Sequence, residues 1–319
     1  MTSRDNCPAC GRTDRRLLTD LSYGAPPLTD YLGAFYRAYP QCDFHPLESA
    51  RYRLFDCARC GCIYQDPVPD GAYLARFYGH GLYGAHAVAD RAPIDPYQMQ
   101  QIIRELMMVV RFLQSRVPHP QVLDFGAGEG GWAQLAAASG LDTHATDLSD
   151  HAFDRLTARG VTCHRPDLLP SDSFDFINTE QVFEHLPDPS RQLAALRRSL
   201  RTGGVIKIGV PYDPRLRVKL RQPDWLAPKN SPASLNGVAP IEHLNHFEPA
   251  SLQAMAAQCG LEPLTVLGWN LATPAQLPVA RALRPRFVRW LRGRLGDAYK
   301  PHHPLTQTVF FHAAIPAQA

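Results

Sequence analysis

Apolar positions along the chain recur with two different periods. In "DPYQMQQIIRELMMVVRFLQSRV", Ile102, Leu106, Val109 and Leu113 fall at helical spacing, and Asp95-Pro96 is a plausible helix start. From Val122 onward, short apolar runs alternate with helical stretches. "QVLDFGAGEGGWAQLAAASG" predicts a strand (Val122, Leu123, Phe125), a glycine turn and a helix. "LDTHATDLSD" predicts a second strand ending at Asp147, and "VTCHRPDLL" a third ending at Asp167. "FDFINTEQ" is a fourth that leads into "VFEHLPDP", and "RTGGVIKIGVP" a fifth that follows the helix "PSRQLAALRRSL". Two further β-rich runs, "LEPLTVLGW" and "QTVFFHAAIP", come last. Strands and helices that alternate at this pace build a parallel, doubly wound α/β sheet.

Ahead of this alternation the chain reads differently. "IYQDPVPDGAYLARFYGHGLYGAH" is rich in proline, glycine and tyrosine, and it connects a cysteine-bearing N-terminal part to the α/β remainder. The expected division is a metal-binding region over 1–70, a linker and helical cap over 71–118, and the α/β domain over 119–319. At 319 residues and 45% hydrophobic content, the chain can fill one sizeable core and a smaller one. "MTSRDNCPAC" lacks the apolar core of a signal peptide, and no run of about 18 apolar residues occurs, so the expectation is a cytoplasmic protein without a membrane span. The formal net charge of +3 is too small to argue for nucleic acid. The run Arg281 to Lys300 carries seven basic residues against one acid; it reads as a solvated helix face or, alternatively, as a surface for an acidic partner such as RNA. No oligomeric state follows from the sequence.

"CPACG" (Cys7, Cys10) and "CARCGC" (Cys57, Cys60) form a paired Cys-x-x-Cys. Each pair can set two thiolates on one tight turn, with the following glycine letting the backbone fold around the sulfurs. Four thiolates suit a closed tetrahedral zinc shell, which has no open position for water and therefore holds a region together. The intervening segment exceeds the compact spacing of about 15 to 20 residues, so Cys42, His45 and Cys62 are possible substitutes.

Gly126, Gly128 and Gly130 spell G-x-G-x-G between a strand and a helix, where a ligand can approach backbone amides at the helix mouth. Asp147, about 20 residues on, ends the second strand, where a carboxylate accepts both hydroxyls of a ribose; a helix-capping role competes. "GAGEGG" also satisfies the dehydrogenase spelling G-x-G-x-x-G, so the later segments decide.

Those segments resemble the class I S-adenosylmethionine-dependent methyltransferases, from Val122 to the C-terminus. "VLDFGAGEG" looks like that family's first motif, "FEHLPDP" like the segment after its fourth strand, and "LRTGGVIKIGVP" like its turn into the fifth. "EHLNHFEPASLQAMAAQCGL" is similar to the segment before its sixth strand, and the final two β-rich runs match its antiparallel last pair. The resemblance implies a Rossmann-like doubly wound seven-stranded sheet with a small N-terminal zinc-ribbon-like region, and S-adenosylmethionine as methyl donor. It implies that Gly126, Gly128 and Gly130 face the methionine part of the donor with Asp124 near its ammonium. Asp147 then takes the ribose, Asp167 with Leu168 meets the adenine amino group or serves the turn, and Gln181 stands beside the sulfonium. Glu184 and His185 are expected to brace the loop after the fourth strand. The competing reading from another class is a non-catalytic zinc-ribbon binding protein with a degenerate methyltransferase fold.

"IEHLNHFEP" supplies the remaining chemistry: Glu242, His243 and His246. In the family this segment overhangs the carboxyl edge of the sheet, where acceptor meets donor. A neutral histidine can take the acceptor's proton at physiological pH. Loop support is the equal alternative for the pair, and metal binding the weakest. His243 is the expected proton acceptor, which requires Glu242 to point elsewhere or the chain to turn there; His246 is expected mainly to support. The four-cysteine region, the tyrosine-rich connection and the Glu-His pair together also look like the sugar C-methyltransferases. The sequence lacks the further C-terminal α/β domain that helps those enzymes bind a nucleotide-sugar, which speaks against a sugar nucleotide as substrate and leaves the methyl-donor half untouched. The expected acceptor is a small molecule, with a sugar or a natural-product or polysaccharide precursor included.

Overall fold

The computed structural model describes residues 1–82, 96–148, 150–229, 231–264 and 306–313. The basic run from Arg281 to Lys300 and most of "LEPLTVLGW" lie outside the described residues. Two sheets organise the rest. The first begins with β1 (Arg15–Ser22), β2 (Arg51–Cys57) and β3 (Ile63–Gln65), paired antiparallel in that order. Its apolar face packs on an aromatic cluster in which Tyr52 meets Trp225 edge-on at 5.6 Å. Trp225 comes from the loop after the fifth predicted strand, so the N-terminal sheet draws its core from the other end of the sequence.

The second sheet contains β4 (Gln121–Phe125), β5 (Asp142–Thr146), β6 (Thr162–Cys163), β7 (Phe174–Glu180) and β8 (Leu200–Pro211), all parallel to one another. The short strand β9 (Asn245–His246) leaves this half and pairs antiparallel with β3, closing the first sheet in the order β1-β2-β3-β9. β10 (Leu261–Pro263) and β11 (Thr306–Ala313) complete the second sheet as its antiparallel edge, in the order β10-β11-β8-β7-β4-β5-β6. This is the expected seven-stranded, doubly wound arrangement. Strand β7 is buried along all but its last residue, as a central parallel strand covered on both faces must be.

The strand order reverses beside β4, which has β5 on one side and β7 on the other. In such sheets the crevice outside the carboxyl ends of the strands at this switch point is the place for a ligand. The helix Pro96–Gln114 covers the same half, with Leu106, Val109 and Leu113 buried as their spacing predicts. No helix among the described residues is long and apolar enough to cross a membrane.

Candidate active site

At the end of β4, Gly126, Gly128 and Gly130 all adopt left-handed backbone with φ of 76°, 54° and 75°. A side chain at Gly126 would also run into Val182, its Cβ lying 2.6 Å from Val182 Cγ2, and one at Gly130 would run into Leu156. Above Gly128 nothing lies within 4 Å, so the middle of the turn is open. Asp147, just past β5, closes the turn from the side: its Oδ2 accepts the Gly128 N–H at 2.7 Å. Asp124 sits lower in β4 at 4% exposure and accepts from Asn178 Nδ2 at 2.7 Å. Burial pushes its carboxyl up to about 6, against the Asn178 hydrogen bond. Asp167 and Leu168 follow β6 on the surface, where Asp167 meets Arg165 at 3.3 Å and Leu168 is 66% exposed. Gln181 follows β7 directly with φ at 56°, and its N–H donates to the Gly209 carbonyl at 2.8 Å.

The loop after β7 crosses this turn through Val182 and then carries Phe183–His185 in a single helical turn. His185 meets His243 there, ring edge to ring face at 4.9 Å between centroids. His185 Nδ1 donates to the Glu242 carbonyl at 2.7 Å, which leaves Nε2 with its lone pair, 3.7 Å from Glu184 Oε1. The Tyr78 hydroxyl donates to the same carbonyl at 3.3 Å and stands 3.1 Å from His185 Nδ1. Glu184 is 1% exposed, and neither carboxyl oxygen accepts a hydrogen bond from another residue. Burial therefore holds its carboxyl well above the usual range. Glu184, His185 and His243 each present an atom within 4.8 Å of the others. Burial, reinforced by the neighbouring His185, pushes His243 down to about 3, so its imidazole is neutral at physiological pH.

Glu242 points away from His243, toward the aromatic cluster: the Tyr36 hydroxyl donates to its Oε1, and Lys229 Nζ approaches at 3.4 Å. Burial raises this carboxyl, but Lys229, His243 and the Tyr36 hydroxyl outweigh it and hold the group below the ordinary carboxylate range. The two neighbours stand in a tight turn, closed by the His243 N–H on the Ala239 carbonyl at 2.9 Å, in which Ile241 adopts φ of 73°, a conformation that costs a β-branched residue about 1 to 3 kcal/mol. His246 does not join this group. It lies in β9, buried, with its ring stacked on Tyr212 at 6.3 Å, and burial pushes it down to about 4.

Sequence reasoning missed Tyr36, Tyr78 and Lys229, and gave Glu184 and His185 only a bracing role. The available signal was the second Glu-His pair: Glu184-His185 follows the fourth predicted strand just as Glu242-His243 follows the fifth. The tyrosines stand in stretches without any recurring pattern, and only folding brings them in.

At the other end of the first sheet, Cys7, Cys10, Cys57 and Cys60 converge with all four sulfurs within 4.8 Å of one another. Cys7 and Cys60 are 3.6 Å apart, Cys10 and Cys57 3.5 Å. The two turns are alike: Gly11 N–H donates to the Cys7 carbonyl at 2.9 Å and Gly61 N–H to the Cys57 carbonyl at 3.0 Å, with φ of 71° and 75° at the glycines. Sulfurs about 2.3 Å from a central zinc would need little movement from these positions. Cys62 is buried beside the group without belonging to it, and Cys42 lies elsewhere, next to Gly81.

Known proteins place this geometry. The family model described as "Methyltransferase domain" matches residues 97–266, just over half of the chain. The trans-aconitate 2-methyltransferase of Deinococcus radiodurans is 33% identical over 128 residues, which cover 37% of this chain and 49% of that protein. The chain thus spans about half the length of this curated relative. Among solved structures, the magnesium protoporphyrin IX methyltransferase of Synechocystis PCC 6803, with S-adenosylhomocysteine bound, aligns over 77% of this chain and 100% of its own at 12% identity and a TM-score of 0.49. The 1,6-didemethyltoxoflavin-N1-methyltransferase of Burkholderia thailandensis aligns over 70% and 93% at 16% identity and a TM-score of 0.41. Through a methyltransferase domain over residues 97–266, preceded by a four-cysteine region, the chain belongs to the class I S-adenosylmethionine-dependent methyltransferases.

Proposed function

We propose that this protein transfers the methyl group of S-adenosylmethionine to a small-molecule acceptor whose proton is taken by His243. The donor supplies an electrophilic methyl on a sulfonium. The protein's own task is then to orient the acceptor and remove its proton. The observation that carries the reading is the convergence of Tyr78, His185 and His243 beside a loop that packs on the open glycine turn. Gly126, Gly128 and Gly130 face the methionine part, Asp124 lies toward its ammonium, Asp147 takes the ribose, Asp167 and Leu168 meet the adenine, and Gln181 borders the sulfonium. His243 is neutral and so has a lone pair to take a proton; burial opposes the imidazolium that forms, and the ionised Glu242 nearby favours it. His246 supports the segment from behind.

Two structural assignments accompany this reading. Cys7, Cys10, Cys57 and Cys60 hold one zinc ion, and the chain divides at about residues 70 and 118 into metal-holding region, connecting cap and donor-binding domain. The acceptor class includes ketosugars and related natural-product precursors. The Deinococcus relative adds trans-aconitate as a candidate to screen; a carboxylate is already ionised at neutral pH, so methyl transfer to one would not need His243 as the base.

The test is a mass-spectrometric screen for methyl transfer to ketosugar nucleotides, phenols, small alcohols and trans-aconitate, repeated with His243→Ala on the acceptor found. Turnover should fall by about 10² to 10⁴, with donor affinity little changed. A His243→Ala protein that keeps most of its turnover overturns the assignment of the proton acceptor.

A further inference from the structure

Arg4 lies just ahead of Cys7 in sequence, yet its guanidinium is held between the two loops that carry His185 and His243. Nε donates to the Gln65 carbonyl at 3.0 Å, and Nη2 donates to the same carbonyl and to the Leu244 carbonyl at 3.0 Å. Nη1 donates to the Pro187 carbonyl at 3.1 Å and to Asn245 Oδ1 at 2.7 Å. Pro187 follows His185 closely, and Leu244 is the residue after His243. Asn245 extends the bridge: its Nδ2 donates to the carbonyls of Phe183 at 3.1 Å and Leu186 at 2.8 Å. The head of Arg4 stands 5.4 Å over the Tyr64 ring. Its backbone is fixed as well, with the Arg4 N–H on Asp66 Oδ1 at 2.7 Å and the Arg4 carbonyl accepting from Arg15 Nη1 at 3.1 Å.

We infer that Arg4 is a positioning residue for the proton-handling histidines: from the four-cysteine region it sets the distance and tautomer of His185 relative to His243. The inference rests on the proposed role of that pair. Three features support a positioning role over simple packing. The contacts go to backbone carbonyls on three separate segments, so they fix chain positions and not merely side-chain packing. The planar fork of five N–H donors suits acceptors in several fixed directions, which the single ammonium of lysine does not reproduce. Arg4 is also the shared partner of both loops. Shifting either loop would move the Glu242 carbonyl relative to His185 Nδ1, and that hydrogen bond is what assigns the proton on His185.

The experiment reads the imidazoles directly and needs no acceptor. Nitrogen-15 spectra of the histidine side chains are recorded for the wild type, Arg4→Lys and Asn245→Ala, each checked for fold by circular dichroism. S-adenosylhomocysteine affinity is measured by calorimetry in parallel. Both variants should move the His185 and His243 ring signals away from a single fixed tautomer. The signals of His144 and His164, at the far edge of the sheet, should stay in place, and S-adenosylhomocysteine affinity should change less than about threefold. Should Arg4→Lys not fold, Arg4→Gln takes its place, because it too removes the planar fork that joins the Pro187 and Leu244 carbonyls, while Asn245→Ala reads only the adjoining Asn245 branch of the bridge. His185 and His243 signals that superpose on the wild type in a folded variant overturn the inference. Failure of the underlying reading appears elsewhere, as undiminished turnover in His243→Ala.

Discussion

Ile241 and Gln181 are the two residues whose backbones carry strain next to the candidate site, with φ of 73° and 56°. Ile241 directly precedes Glu242 and His243, and Gln181 stands between β7 and the turn that carries Glu184 and His185. The turn at Ile241 lets adjacent residues do separate work, Glu242 toward Tyr36 and His243 toward His185. On the donor side, Asp147 holds the glycine turn through Gly128. Asp147→Ala should weaken S-adenosylmethionine binding about a hundredfold by calorimetry, since two charge-assisted hydrogen bonds amount to roughly 2 to 4 kcal/mol; unchanged affinity would remove Asp147 from the ribose. His246 gives a pH prediction whose sign follows from burial. Its folded pKa is about 4, below the unfolded value near 6.5, so the folded state binds fewer protons. The stability this group contributes is present above about pH 6.5 and is lost as pH falls toward 4. Between pH 7 and 5 the wild type should therefore lose about 2 kcal/mol that His246→Gln does not lose. Urea unfolding of both proteins at the two pH values measures that difference directly.

Lys207, in the middle of β8, is 2% exposed and joins Glu105 on the helix Pro96–Gln114 at 2.6 Å to Glu180 at the end of β7 at 2.8 Å. The ammonium is kept charged by these carboxylates against the cost of burial. One side chain thus fixes the cap helix and the carboxyl end of β7 against the same strand. Lys207→Met should cost about 3 to 5 kcal/mol in chemical denaturation, because it leaves two carboxylates facing each other without their cation. A loss within about 0.5 kcal/mol of zero would show that the helix is held by Leu106, Val109 and Leu113 alone. At this scale the sequence was informative wherever an element is long enough to show a period. The cap helix and the strands β4, β5, β7 and β8 were legible because burial on one or both faces imposes a repeat, whereas the third predicted strand, expected to run to Asp167, is only the two-residue edge strand β6 and ends at Cys163. Strand β9 was not, because two residues carry no period and their partner, β3, is nearly the whole chain length of the methyltransferase half away.

Side-chain hydrogen bonds tie the two cysteine turns to the methyltransferase half. Arg217 donates to Asp56 at 2.9 and 3.0 Å, to the Gly61 carbonyl at 2.6 Å and to Glu248 at 2.6 Å, so it clamps the second cysteine turn to the helix Pro249–Gln258. The first turn is held in parallel, its Pro8 carbonyl accepting from Ser190 Oγ at 2.5 Å and its Ala9 carbonyl from Gln258 Nε2 at 2.8 Å. If the four thiolates hold zinc, Cys57→Ser should release it and destabilise both halves in one transition. Metal analysis of protein purified without chelator, followed by thermal unfolding, checks this; no zinc in the wild type, or a wild-type transition in the variant, would count against it. The sequence by itself determined the layered α/β sheet, the glycine turn with its following acid and the pairing of the cysteines, because each is written as a local repeat or a fixed spacing. Only the tertiary structure decided that His243 faces His185 while His246 faces Tyr212, that Tyr36 and Tyr78 reach Glu242, and that Arg4 bridges both histidine loops. Those contacts join residues far apart in sequence, and they depend on where the strands end and how the chain turns at Ile241, which no local pattern encodes.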